Sequence, residues 1–242
     1  AMRVTADELR SFYSTREGRR TARLIARIVA PAVIDGPERR FLALGYPAPL
    51  LTGLDPKRFE RLALLWPKEQ GGRCWPQRGN KNCAVTGDLA ELPFSGALFD
   101  QALIVHALEH GQPDQILEEL HRVLAPAGEL ILIVPNRAGL WTHFERTPFG
   151  LGHPYGRGEL TRLLARQRFV PKSWKTALVA PPITGLRWLD APLTRAVPKL
   201  GGVHFVLARK SDGPIAVPVS QRRRATRHAP ASAVPAAGRA TP

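Results

Sequence analysis

The sequence predicts an α/β fold, a doubly wound and mainly parallel sheet of seven strands with helices on both faces. Three observations predict it. Short continuous apolar runs, the pattern of strands buried on both faces, recur along the chain. Segments with helical spacing of apolar residues fall between them. The 242 residues, with a hydrophobic content of 44%, suffice for one domain with a single large core.

Residues 6–29 read as an amphipathic helix, with Leu24, Ile25, Ile28 and Val29 on one face and Arg20, Arg23 and Arg27 off it. Such a helix is expected to cover one face or edge of the sheet, a membrane surface being the alternative. Pro31 ends it. Residues 40–45 (RFLALG) and 61–66 (RLALLW) read as the first two strands, 82–86 as a weak third and 99–105 as a strong fourth. Residues 114–124 form a helix with Ile116, Leu117, Leu120, Val123 and Leu124 at helical spacing. Asp114 and Glu118 suit its positive N-terminal end. Ala125-Pro126-Ala127-Gly128 stops that helix, and 129–134 is the fifth strand. A helix over 158–167 and strands over 172–179 and 203–208, the last antiparallel, complete the set.

One domain is expected over residues 1–210, including the N-terminal helix within 6–30. Residues 211–242 turn to Pro, Ala, Arg, Ser and Thr, with the run Gln221-Arg222-Arg223-Arg224-Ala225-Thr226-Arg227-His228. That composition buries too little apolar area to offset ordering entropy, so a disordered basic tail is expected. The net charge is +15. It admits nonspecific contact with nucleic acid through the tail. No apolar run approaches a membrane span, and the N-terminus is charged rather than leader-like. Two cysteines, Cys74 and Cys83, make neither a disulfide framework nor a paired zinc spacing, which suits a reducing, cytoplasmic setting.

The most specific stretch is 86–136. It offers Asp88, then Leu92-Pro93-Phe94, Phe99-Asp100, Leu108-Glu109-His110, Arg122-Val123-Leu124, Pro126 and Gly128. Taken together, this pattern resembles the class I S-adenosylmethionine (SAM) dependent methyltransferases, of the type 11 kind, and the later Tyr155-Gly156-Arg157-Gly158-Glu159-Leu160 fits the same family. The resemblance covers roughly residues 41–209. It implies a Rossmann-like fold, a transferase activity and SAM as cofactor. It places Asp88 against the adenine amino group with the Leu89 amide nearby, at the carboxyl edge of the sheet where such folds bind ligands.

The chain departs from the family at two anchors. Where a glycine-rich turn lets the backbone approach the methionine part of SAM, this chain has Leu44-Gly45-Tyr46-Pro47-Ala48-Pro49. Gly45 survives, and two prolines remove amide donors. Where the family places an acid for the ribose, this chain has Trp66-Pro67-Lys68-Glu69, so Glu69, two positions late, is the substitute. SAM binding is therefore expected to be weak or lost.

His106-Ala107-Leu108-Glu109-His110 matches H-x-x-E-H, a zinc pattern that requires a helix. Here it follows a strand directly and Gly111 and Pro113 shorten any helix, so no metal is expected. His106, at the end of the fourth strand, is the candidate catalytic base for acceptors that must lose a proton. Residues 142–155 (THFERTPFGLGHPY) form a long aromatic connector, in which His143, His153 and Tyr155 are candidate acceptor-binding groups. The insertion 70–82 is basic, carries Trp75 and lies near the altered cofactor edge. Three functions follow: a methyltransferase with a small-molecule acceptor, a degenerate methyltransferase-fold subunit that binds a protein partner, and a nucleic-acid-associated protein.

Overall fold

The computed structural model describes residues 5–76, 81–143, 147–178 and 200–213. Seven strands form one sheet in the order β3-β2-β1-β4-β5-β7-β6. They are β1 (Gly36–Gly45), β2 (Phe59–Pro67), β3 (Ala84–Gly87), β4 (Phe99–Val105), β5 (Leu124–Pro135), β6 (Phe169–Ala177) and β7 (Val203–Lys210). β1 pairs in parallel with β2 and β4, β2 with β3, and β4 with β5. β7 lies antiparallel between β5 and β6. The predicted sheet and its antiparallel last strand are thus found. The strand order reverses between β1 and β4, which makes their carboxyl ends the switch point of the fold.

The central strands are apolar throughout because both of their faces are covered. Phe41 and Ala43 of β1 face one layer, while Leu42 and Leu44 face the other. The first layer holds helices α1 (Ala6–Ser14) and α2 (Arg16–Val29), through Leu9, Tyr13, Ile25 and Val29. The second holds α3 (Pro113–Val123) and α4 (Arg157–Arg166), through Ile116, Leu120, Leu160 and Leu164.

Four boundaries differ from the sequence reading; the first is that β1 begins at Gly36 rather than at residue 40. The single helix expected over 6–29 is two helices. Thr15 sits in extended backbone between them, and its side chain caps α2 by accepting the Gly18 amide at 2.9 Å. The two helices approach so closely that a Cβ on Gly18 would lie 2.0 Å from the Phe12 carbonyl oxygen. The stop at 125–128 is instead a bulge within β5, with Ala127 at φ 60 and a register shift against β4. β6 begins at Phe169 rather than 172; as an edge strand it tolerates Pro171, where the register against β7 also shifts.

The crossover from β1 to β2 holds only short helical turns, with Leu50 and Leu51 buried. The described part of the insertion folds back on the sheet. Trp66 donates its indole N–H to the Arg73 carbonyl at 3.0 Å, Cys83 N–H bonds the Trp75 carbonyl at 2.8 Å, and Trp75 is buried against the α1–α2 layer. No described helix is long and apolar enough to cross a membrane. The tail beyond Gly213 lies outside the described residues.

Candidate functional site

At the carboxyl edge of the sheet the chain leaves β1 and β4 through left-handed backbone. Gly45 has φ 84, and a Cβ there would sit 2.0 Å from the Val105 carbonyl oxygen. Only glycine fits that approach. The next residue, Tyr46, donates its amide to the same Val105 oxygen at 2.9 Å, so the switch point is bridged by a main-chain hydrogen bond. Gly45 closes this junction and is not among the residues that line the cavity described next.

A cavity of about 390 Å³ opens beyond β2, β3 and β4, lined by Pro67, Glu69, Asp88, Leu89, His106, Ala107 and the start of α3. That volume suits a ligand of cofactor size. Asp88 Oδ1 accepts the Ala90 amide at 2.9 Å and Oδ2 accepts Lys68 Nζ at 2.8 Å. The Lys68 bond and the Ala90 amide hold its carboxyl below the usual carboxylate range. The structure thus brings Glu69, Asp88, Leu89 and His106 together around one space.

His106 is buried, at 1% exposure, and has φ 52. A bulky residue in left-handed backbone costs roughly 1–2 kcal/mol and is held there by its surroundings. Those surroundings are polar on both sides of the ring. Nδ1 lies 3.2 Å from Glu109 Oε1 and Nε2 lies 2.7 Å from the Tyr13 hydroxyl. Glu109 is itself buried at 3% exposure, and its Oε2 has no hydrogen-bond partner among the described residues. Burial pushes the Glu109 carboxyl up, but the hydrogen bond from His106, helped by the electrostatic influence of the His106 and His110 rings, outweighs it and holds the group below its ordinary range. With an anionic Glu109 accepting from Nδ1–H, Nε2 carries the lone pair and accepts the Tyr13 O–H. Burial, followed by the Glu109 charge, pushes the Tyr13 phenol far above its ordinary range, so it stays a donor.

The segment 106–111 is a turn rather than a helix, so His106 and His110 do not share a helical face. The sequence reading missed Tyr13 and the pairing of Glu109 with His106. Tyr13 sits 93 residues from its partner, and its only sequence signal is an aromatic residue in an amphipathic N-terminal helix. Its ring stacks on Tyr46 at 5.9 Å, and Tyr46 meets Trp66 edge-on at 5.2 Å. Tyr46 of the altered turn is thus packed between Tyr13 and Trp66. Phe149, from the connector after β5, packs against His106 with ring centroids 4.8 Å apart.

The expected acceptor groups are placed elsewhere. Tyr155 is buried and donates its hydroxyl to the Leu108 carbonyl at 2.9 Å, so that group fastens the connector to the β4 corner. His153 is exposed and pairs with Glu159 at 2.7 Å and Arg137 at 3.3 Å. Neither lines the cavity. The side chain of His143 lies outside the described residues.

The strand order, the switch point and the cavity define a class I methyltransferase fold. Residues 68–132 match the family model described as a methyltransferase domain. That match begins after the β1 turn, so it takes in Glu69, Asp88, Leu89 and His106 but not Gly45. Among solved structures, a chain in the complex between the Haloferax volcanii Trm112 methyltransferase activator and a methyltransferase aligns with a TM-score of 0.62 and 15% identity, covering 88% of this chain and 100% of that one. A SAM-dependent methyltransferase from Thermotoga maritima aligns at 0.57 and 15%, covering 84% and 94%. Geranyl diphosphate C-methyltransferase from Streptomyces coelicolor, solved with Mg2+, geranyl diphosphate and S-adenosyl-L-homocysteine, aligns at 0.51 and 16%, covering 81% and 83%. At such identities the likeness is one of fold. No curated protein matches the chain.

Proposed function

We propose that this chain is a SAM-dependent methyltransferase whose acceptor is a small molecule carrying a removable proton. The observation that supports it is the buried Tyr13–His106–Glu109 chain, whose central residue, His106, lines the cavity. A carboxylate oxygen without a hydrogen bond and a histidine in left-handed backbone are costly in a purely structural role.

The residues present suit the nucleoside half of SAM. Asp88 would accept from the adenine amino group, the Leu89 amide would lie beside the ring, and Glu69 would take the ribose hydroxyls. The methionine half lacks its usual cradle, because the Tyr46 amide is spent on Val105 and Pro47 and Pro49 have none. When bound, SAM supplies an electrophilic methyl group on a sulfonium.

The chain's own residues then have three tasks. The cavity walls align the acceptor and exclude water. Glu109 holds Nδ1–H and so fixes the tautomer of His106. Nε2, held by the Tyr13 hydroxyl in this structure, receives the acceptor's proton once the acceptor takes that hydroxyl's place. Cys74 and Cys83 are unpaired, which supports a reducing compartment, and the cytoplasm is part of the same proposal.

The bridged β1 turn favours a second reading, a methyltransferase-fold subunit that binds a protein partner. Calorimetry with SAM and its demethylated product separates the two. Under the first reading the wild type binds, and Asp88→Ala loses a charge-assisted hydrogen bond, about 1.5–3 kcal/mol or roughly tenfold to a hundredfold in affinity. No heat from the wild type at millimolar ligand would install the second reading.

A further inference from the structure

The net charge of +15 is not mainly in the tail. Five of its charges, Arg222, Arg223, Arg224, Arg227 and Arg239, lie beyond Gly213, which leaves +10 on the remainder. Five more arginines lie on α2. Arg16, Arg19, Arg20, Arg23 and Arg27 follow one another along that helix, and all five are exposed. At 3.6 residues per turn these positions fall on one stripe, about 16 Å long at 1.5 Å per residue. Like charges three and four residues apart oppose helix formation. Among the described residues no carboxylate lies within ion-pair distance of any of the five (Glu17, the one acid of α2, is half-buried). Arg19 and Arg23 donate only to main-chain carbonyls, those of Ser14 and Arg19.

We infer that this face of α2 is a docking surface for the phosphate backbone of a nucleic acid. Charge complementarity selects a polyanion. The residue type narrows it, because all five cations are arginine, whose planar fork takes phosphodiester oxygens two at a time. A lipid surface fits less well. Helices that lie in a bilayer interface bury an apolar face in it. The apolar face of α2, with Ala22, Ile25 and Val29, is already buried against the sheet. No large apolar side chain is exposed on α2. The surface is independent of the cofactor, so it stands whether or not SAM binds.

The test is fluorescence anisotropy of the full chain with a short labelled DNA duplex and a single-stranded RNA, titrated across salt. The wild type is expected to bind at least one probe, with affinity falling linearly on logarithmic axes as salt rises. Arg16→Gln, Arg20→Gln, Arg23→Gln and Arg27→Gln combined should flatten that slope by about 3–4 for duplex DNA, at about 0.9 for each phosphate no longer neutralised, and weaken binding roughly tenfold or more at low salt. The same substitutions should leave the melting temperature unchanged or raise it, because they remove like-charge neighbours. Arg222→Gln, Arg223→Gln, Arg224→Gln and Arg227→Gln combined serve as the control for the tail. Three results would overturn the inference: a wild type that binds neither probe at low salt, an α2 variant that keeps the full slope while the tail variant loses it, or an α2 variant that loses binding to anionic vesicles with nucleic-acid binding intact.

Discussion

β1 and β4 lie side by side, and the chain leaves each through left-handed backbone, at Gly45 and at His106. The two corners share a conformation and differ in cause. At Gly45 a backbone contact dictates it, since any Cβ would collide with the Val105 carbonyl. At His106 the side chain holds it, because that conformation sets the imidazole between the Tyr13 hydroxyl and the Glu109 carboxylate. The first corner seals the switch point and the second opens polar chemistry onto the cavity beside it. An altered glycine turn therefore removes amides from one half of the edge without disturbing the other half.

The largest expected effect is at the sealing corner. Gly45→Ala forces a side chain against main-chain atoms that cannot shift and should cost about 4 kcal/mol or more. Chemical denaturation checks this, and a loss below about 1 kcal/mol would mean that the corner relaxes. At the polar corner the expected loss is of rate. Glu109→Gln should leave SAM affinity unchanged and lower methyl transfer about a hundredfold, by removing the group that fixes the His106 tautomer. An unchanged rate in single-turnover assays would leave this corner a structural one. Tyr13→Phe removes a hydroxyl and leaves the buried Nε2 unmatched, a cost of about 1–2 kcal/mol in stability. A variant as stable as the wild type would show the hydroxyl to be dispensable.

The smallest effect near neutrality separates the corners by pH. Glu109 is held below its ordinary range when folded, so its contribution is fully present above the unfolded carboxylate pKa of about 4.3. It is lost as pH falls through the lower, folded value. The stability difference between wild type and Glu109→Gln should therefore shrink with acid. For Gly45→Ala the deficit should stay constant, since no titrating group takes part. Melting curves of both variants across the acid range check the pair, and a pH-independent Glu109→Gln difference would sink the assignment of an anionic Glu109.

The sequence by itself determined the sheet. Apolar runs at 40–45, 61–66, 99–105 and 129–134, each shorter than a typical buried helix and separated by helical or turn segments, read as strands covered on both faces. It also put His106 at a strand end, directly after 99–105, and Asp88 just past the weaker run 82–86, with Gly87 between. The break at Thr15 was not legible: Thr15 is a residue type that caps helices, but no Glu or Gln follows three positions on, and the close approach of Gly18 to Phe12 depends on how the helices pack. Tertiary structure alone decided three things. It joined Tyr13 to His106, because nothing local links residues 93 positions apart. It turned Tyr155 from a candidate acceptor group into a brace on Leu108. It brought Tyr46 against Val105, closing the edge that a glycine-rich turn would leave open. The physical reason is the same each time: periodicity specifies which side of an element is buried, while the partner of a buried polar atom is chosen by elements that meet only in the folded chain.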